Sequence, residues 1–205
     1  MILDHKEQDK ILKKYGLKVP KTYFIESKKQ VSFSLSKIGF PVVMKIFSKK
    51  HLHRTEVGGV VKNIKNRKEA EIAFTSLFKI KDTQGVLIQK QVSGVEFIVG
   101  VKKDSLFGDV IMLGTGGTMV EVFDDVTFRV LPIRKNDALK MIEEIKGKKL
   151  LEGFRGLEKI DKNKLADILV KVSNLADKEE YREIDLNPVI LNHKGAYVCD
   201  VKIVV

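Results

Sequence analysis

Near the C-terminus, Glu183-Ile184-Asp185-Leu186-Asn187-Pro188 and Val198-Cys199-Asp200-Val201-Lys202 flank the short polar stretch Asn192-His193-Lys194-Gly195. Polar–apolar alternation on both sides of such a turn predicts an antiparallel hairpin. Glu183, Asp185 and Asn187 then share one side, with Ile184 and Leu186 on the other. In the second strand Val198, Asp200 and Lys202 oppose Cys199, Val201 and Ile203. If the pairing is symmetric about the turn, Asn187 lies directly opposite Asp200, with Cβ atoms about 4.5–5.5 Å apart. Two or three oxygen donors converge on one face, a set suited to Mg²⁺ holding phosphate oxygens. A solvated strand face with a cross-strand Asp185–Lys202 ion pair fits the same pattern.

The 205 residues suffice for a real core, in one larger domain or two small lobes. No apolar run approaches the roughly 18 residues of a membrane span, and the N-terminus is charged rather than signal-like. One cysteine, Cys199, excludes an intrachain disulfide and fits a reducing cytoplasm. The net charge of +11 invites nucleic acid as a partner. The lysines are nonetheless spread along the chain, and aromatics are 7% with no Trp, so the stacking pattern of single-strand binders is missing. Phosphate-bearing small ligands or an acidic partner explain the charge equally well.

Between these features the chain alternates helix and strand patterns. Helices are expected at Asp4–Tyr15, from Ser27 toward Ile38, after the cap Asn66, at Asn136–Ile145 and at Lys162–Ala176. Strands are expected at Thr22–Glu26, Pro41–Phe47, Gly58–Ile64 and Gly85–Gln89. Several more lie from Val95 to Val130, antiparallel because their connections are too short for crossover helices. The polar stretch Gln89-Lys90-Gln91-Val92-Ser93-Gly94 most resembles a lobe boundary, giving approximate lobes at 17–90 and 91–205 within a single domain over 1–205.

Lys45 sits inside the apolar strand Val42-Val43-Met44-Lys45-Ile46-Phe47. It reads either as an edge residue snorkelling to water or as a cation aimed at a phosphate. Gly58-Gly59 is a turn, or a place where free N–H groups meet anionic oxygens. Gly114-Thr115-Gly116-Gly117-Thr118 separates two strand patterns. Without a following Gly-Lys-Ser/Thr or a helix, it is neither a Walker loop nor a dinucleotide fingerprint. Glu121 and Arg129 flank it and could point into the same space.

Together these residues resemble the ATP-grasp domain of NDP-forming acyl-CoA synthetases, and most of all the stand-alone β subunits of ADP-forming acetyl-CoA synthetase. The resemblance covers nearly the whole chain. It rests on Gly39-Phe40-Pro41-Val42-Val43-Met44-Lys45, Leu52-His53-Arg54-Thr55-Glu56-Val57-Gly58-Gly59-Val60, Gly94-Val95-Glu96-Phe97-Ile98-Val99-Gly100, Leu150-Leu151-Glu152-Gly153-Phe154-Arg155-Gly156 and Asp185-Leu186-Asn187-Pro188. It implies an α+β (mixed α/β) ATP-grasp fold with two lobes clasping ATP or ADP, with Mg²⁺.

By position, the resemblance makes Lys45 a phosphate contact and Gln89, Lys90, Gln91 and Val92 the hinge whose backbone meets adenine. Glu96 becomes the acidic residue that follows in the nucleotide cleft. Gly58, Gly59, Gly116 and Gly117 become glycines near the phosphates. Asn187 and Asp200 become metal ligands, with Asp185 nearby or acting through water. His53 matches a histidine that carries phosphoryl, while His51 matches an apolar position. Arg54 stands where the family has lysine, and Lys49-Lys50 where it has Pro-Asp, so the loop carries added positive charge. The implied function is the nucleotide half of acyl-CoA + ADP + phosphate ⇌ acid + CoA + ATP. It requires a CoA-binding α subunit with its own phosphohistidine, in an α2β2 hetero-oligomer. The β subunit of a succinate-CoA-type ligase, another ATP-grasp ligase, or a non-catalytic nucleotide-sensing or RNA-binding subunit are the alternative readings.

Overall fold

The structure is a computed structural model that describes residues 1–48, 50, 54–117, 124–153 and 159–205. In chain order its elements are α1 (His5–Lys14), β1 (Thr22–Ile25), α2 (Lys29–Ile38), β2 (Val42–Phe47), β3 (Val60–Ile64), α3 (Arg67–Phe78) and β4 (Gly85–Lys90). There follow β5 (Val95–Asp104), β6 (Gly108–Thr115), β7 (Val126–Val130), α4 (Lys135–Glu144), a 3-10 segment (Lys146–Glu152) and α5 (Asn163–Lys178). The chain ends with β8 (Glu183–Asn192), β9 (Gly195–Val198) and β10 (Val201–Val204). They form two compact units, Pro20–Val92 and Met1–Val19 together with Ser93–Val205.

The smaller unit is an antiparallel sheet in the order β1-β4-β2-β3. Val42, Met44 and Ile46 alternate toward a core that they share with Val31 and Leu35 of α2 and Phe74 and Leu77 of α3. The two helices are delimited as their sequences suggest. Gly39 closes α2 at φ 69°, and the Asn66 side chain accepts the Glu69 N–H at 3.0 Å to start α3. Gly58-Gly59 precedes β3 rather than opening it.

In the larger unit one strand order runs β10-β8-β5-β6-β7, and β9 also pairs with β8. Val95, Phe97, Val99 and Val101 of β5 face a core built with Met141 and Ile142 of α4 and Leu165, Leu169 and Val172 of α5. Residues 1–19 belong here: Leu3 N–H donates to Ile203 at 3.0 Å. Tyr15 Oη and Lys14 Nζ meet the Glu179 carboxylate at 2.7 and 2.6 Å. Hydrogen bonds from Lys14 and then Tyr15 hold that carboxyl below the usual glutamate range.

The terminal ladder follows the symmetric register. Val189 pairs with Val198 and Leu191 with Ala196, then Leu186 with Val201 and Asp185 with Lys202. Its side-chain alternation departs from expectation. Ile184 and Leu186 face the core, but so do Val189 and Leu191, so the parity changes between them. Against β5, Phe97 pairs with Val189 and Val99 with Leu186, a β-bulge that inserts one residue into β8 around Asn187-Pro188. The facing strand breaks there too, into β9 and β10. Val198 is consequently fully buried in the core instead of sharing the polar side with Asp200.

Candidate functional site

Sheet register decides which side chains of the larger unit share a surface. Phe128, Met112, Gly100, Asp185 and Lys202 are successive direct partners across β7, β6, β5, β8 and β10. Directly paired residues project from the same face, here the one away from α4 and α5, since Val99, Val101, Ile184 and Leu186 occupy the core side. Asp185 therefore lies on the helix-free face. At the bulge, Asn187 N–H donates to the Asp200 carbonyl at 3.2 Å, and Cys199 N–H to the Pro188 carbonyl at 2.9 Å. Asn187 is exposed; Asp185 and Asp200 are half-buried. Asp200 Oδ1 accepts the Val201 N–H at 3.0 Å. The ion pair that Lys202 makes with Glu183, at 2.6 Å, is diagonal to the Asp185–Lys202 pair expected.

The candidate donors on and beside this break, Asp185, Asn187 and Asp200, are two carboxylates and one amide. Mg²⁺ commonly takes one or two carboxylates and fills its remaining positions with water and phosphate oxygens, so the set fits that ion. Among the described residues no group of three or more His, Cys, Asp and Glu side chains forms a fuller cage.

Glu96 projects from the same face of β5, opposite Ile190. Four residues at about 3.3 Å each place it about 13 Å along the strand from Gly100. Its carbonyl accepts the Gly116 N–H at 2.8 Å. A Cβ on Gly116 would lie 2.7 Å from the Glu96 carbonyl carbon, so glycine is required for this contact. Gly117, at φ 76°, turns the chain beside the Glu96 carboxylate. Glu96, Gly116 and Gly117 thus come together. Glu121 lies outside the described residues, and Arg129 is engaged elsewhere, in an ion pair with Glu144 of α4.

The glycine loop has an anchor that no local pattern revealed. Asp125 is buried and accepts the Thr115 hydroxyl, the Lys146 N–H at 2.7 Å and the Gly147 N–H at 2.8 Å. Burial alone would raise this carboxyl, but the three hydrogen bonds outweigh it and hold it below the ordinary aspartate value.

In the smaller unit Lys45 is 6% exposed, and its ammonium donates to Gln89 Oε1 at 3.2 Å. This is not the snorkelling arrangement. Gln89 in turn donates to Thr22 Oγ1 at 3.1 Å, which fixes the orientation of its amide. The expected hinge starts inside β4, and part of its backbone is committed within the unit. Lys90 N–H donates to Lys21 at 2.8 Å and Gln91 N–H to Pro41 at 3.1 Å.

A second feature that the sequence concealed is Asn63. It adopts φ 60° within β3, and its N–H donates to Gln91 Oε1 at 2.8 Å while its side-chain oxygen accepts from Gln91 Nε2. This amide clasp ties the segment that follows β4 to β3, on the far side of β2. Asparagine is among the few non-glycine residues that adopt such a φ.

Gly58 and Gly59 do not offer the free N–H groups expected of them. Gly58 N–H donates to Thr55 at 3.1 Å and Gly59 N–H to Arg54 at 2.7 Å, closing a turn. A Cβ on Gly59 would lie 2.7 Å from Ile46 Cδ1, so close packing explains the glycine. His53, with His51 and Lys49, lies outside the described residues.

Comparison with known proteins places this geometry in a family. The family model of the ATP-grasp domain matches residues 1–205. Acetate–CoA ligase [ADP-forming] I subunit beta of Pyrococcus furiosus is 41% identical, over 97% of this chain and 89% of that protein. Acetate–CoA ligase [ADP-forming] II of Archaeoglobus fulgidus is 43% identical over the whole chain. The chain spans 30% of the length of that longer relative. Among solved structures, the dinucleotide-forming acetyl-coenzyme A synthetase 1 of Ca. Korarchaeum cryptofilum, in complex with coenzyme A, Ca-AMPCP and HgCl+, superposes with a TM-score of 0.91. It is 36% identical, covering 100% of this chain and 93% of that one. The same enzyme with coenzyme A and Mg-AMPPCP has its phosphohistidine segment pointing towards the nucleotide binding site, and gives a TM-score of 0.83. The chain belongs to the ATP-grasp family and, within it, to the ATP-grasp domains of ADP-forming acetate–CoA ligases, which occur both as β subunits and within longer chains.

Proposed function

We propose that this chain is the nucleotide-binding subunit of an ADP-forming acyl-CoA synthetase, with acetyl-CoA as the leading substrate. It would transfer phosphoryl between a phosphohistidine and ADP in acyl-CoA + ADP + phosphate ⇌ acid + CoA + ATP. The observation that carries the reading is the Asn187–Asp200 pairing, with Asp185 two positions along β8, on a chain matching the β subunits almost end to end. Asp200 and Asn187, aided by Asp185, would hold Mg²⁺. When bound, that ion supplies charge neutralisation and alignment for phosphate oxygens. Lys45, hydrogen-bonded to Gln89, would be a phosphate contact, as the family resemblance implies. Glu96 and the residues from Gln89 to Val92 would receive the nucleoside portion, and Gly116 and Gly117 would pass close to the phosphates.

His53 is the proposed phosphoryl carrier. Neutral imidazole, with an ordinary pKa of about 6.5, is a competent nucleophile near neutral pH. In the ATP-forming direction a β-phosphate oxygen of ADP attacks phosphorus, the phosphorus–nitrogen bond breaks, and the released ring nitrogen takes up a proton. A CoA-binding partner carrying the first phosphohistidine completes the enzyme, as an α2β2 assembly. The relatives support a partner because they occur both as separate β subunits and as longer single chains.

The deciding experiment follows acid-labile radiolabelled phosphate from a phosphorylated partner to this chain, using wild type, His51→Ala and His53→Ala. Label on wild type and His51→Ala, but absent from His53→Ala, is the expected result. Label lost only in His51→Ala reverses the assignment, and no label on any version removes the carrier role. Tight oligonucleotide binding without Mg-ADP binding would instead favour an RNA-binding subunit.

A further inference from the structure

We infer that Gly100 keeps the sheet face beside Asp185 open, so that a phosphate group with its divalent cation lies directly against β5. The inference rests on the proposed metal role of Asp185, Asn187 and Asp200. Gly100 is interior to a ten-residue strand and pairs directly with Met112 on one side and Asp185 on the other. Glycine there costs about 0.5–1 kcal/mol relative to alanine, so its presence needs a cause.

Packing is not that cause. Among the described residues, a Cβ at Gly100 would meet Met112 Cε at 3.5 Å and the Ile184 carbonyl at 3.8 Å, ordinary contacts. Conformation is not the cause either, because Gly100 is not among the positive-φ residues. The bulge of β8 lies beyond it, and its own pairing with Asp185 is regular. Close approach of a ligand is the remaining reason for a glycine inside a strand. The gap it leaves lies between the Met112 and Asp185 strands, which are about 10 Å apart at two strand spacings. A bare anion would be repelled by the Asp185 carboxylate, whereas a phosphate bridged by a divalent cation would not.

The test uses the full chain as Gly100→Ala and Gly100→Val, with Asp200→Asn measured in parallel. Thermal unfolding, and calorimetric binding of Mg-ADP and of adenosine, are the readouts. Expected are unfolding midpoints at or above wild type and unchanged adenosine binding. Mg-ADP affinity should fall with side-chain size, by about tenfold or more for Gly100→Val. Should Gly100→Val prove unstable, Gly100→Ala decides, because its methyl fits without a clash. Wild-type Mg-ADP affinity in the stable Gly100 variants, with affinity lost in Asp200→Asn, overturns the inference and leaves the metal assignment standing. Wild-type affinity in all three removes both.

Discussion

Lys45 places an ammonium at 6% exposure, where it donates to the Gln89 side-chain amide. Lys45→Met retains the length of the side chain and removes the charge. Its stability should stay within about 1 kcal/mol of wild type, since the hydrogen bond to Gln89 and the cost of burying a charge are lost together. Its ADP affinity should fall about 10- to 100-fold, the range for a charge-assisted phosphate contact; calorimetric titration measures this, and unchanged affinity returns Lys45 to a structural role. Asp125 makes the opposite case. Its folded pKa is depressed, so it adds stability that is fully present above its unfolded value of about 3.9 and is lost as pH falls through the folded value. Asp125→Asn should lower the unfolding midpoint near neutral pH by about 4–8 °C, for a loss of about 2 kcal/mol. The difference from wild type should shrink on acidification below that value; a constant difference would mean the lost packing, not the charge, mattered. Lys45 was legible in the sequence because a lysine in an apolar strand is anomalous by itself. Asp125 and Asn63 were not, because their importance lies in partners at 115, 146 and 147 or at 91 that local patterning does not bring together.

At the scale of elements, alternation and end signals carried most of the fold. Asp4, Gly39 and Asn66 mark helix ends where the structure has them, and the strands from Val95 to Val130 are antiparallel as the short connections require. Two errors have the same origin. Reading Gly58-Gly59 as strand with free N–H groups, and Val198 as sharing the face of Asp200, both assumed that a pattern continues through an irregularity. A turn spends the first pair of donors, and a bulge resets the second alternation. The Lys146–Glu152 3-10 segment had no periodicity to reveal it. The Asn187 and Asp200 backbones still meet, through one hydrogen bond, because the turn sets register in both parts of the ladder. Asn187→Ala and Asp200→Ala should each weaken Mg-dependent ADP binding by at least about tenfold, since even outer-shell partners of a metal are commonly worth 10–100-fold. The exposed Asn187 should cost less than about 0.5 kcal/mol of stability. Binding measured with and without Mg²⁺ separates the metal role from direct nucleotide contact: equal losses in both conditions would place these residues on the nucleotide instead.

At the scale of the whole molecule, the chemistry of the candidate groups is divided in kind. Taken separately, the smaller unit holds a buried lysine and the Asn63–Gln91 amide clasp, and the larger one holds carboxylates on β8 and a glycine loop anchored by Asp125. These suit the handling of a nucleotide and its phosphates. None of the residues singled out is suited to the thioester, and the chain corresponds to 30% of the longer relatives but 89% of the separate β subunits. Purified alone, the chain should therefore bind Mg-ADP and exchange no acyl group with CoA. Adding a CoA-binding partner should restore acyl-CoA formation from acetate, CoA and ATP, and the restored rate should collapse with His53→Ala in this chain while Mg-ADP binding persists. Acyl-CoA made at full rate by the purified chain alone would contradict the division of labour proposed here. Restored synthesis that is indifferent to His53→Ala would keep that division but route phosphate directly between the partner's histidine and the nucleotide.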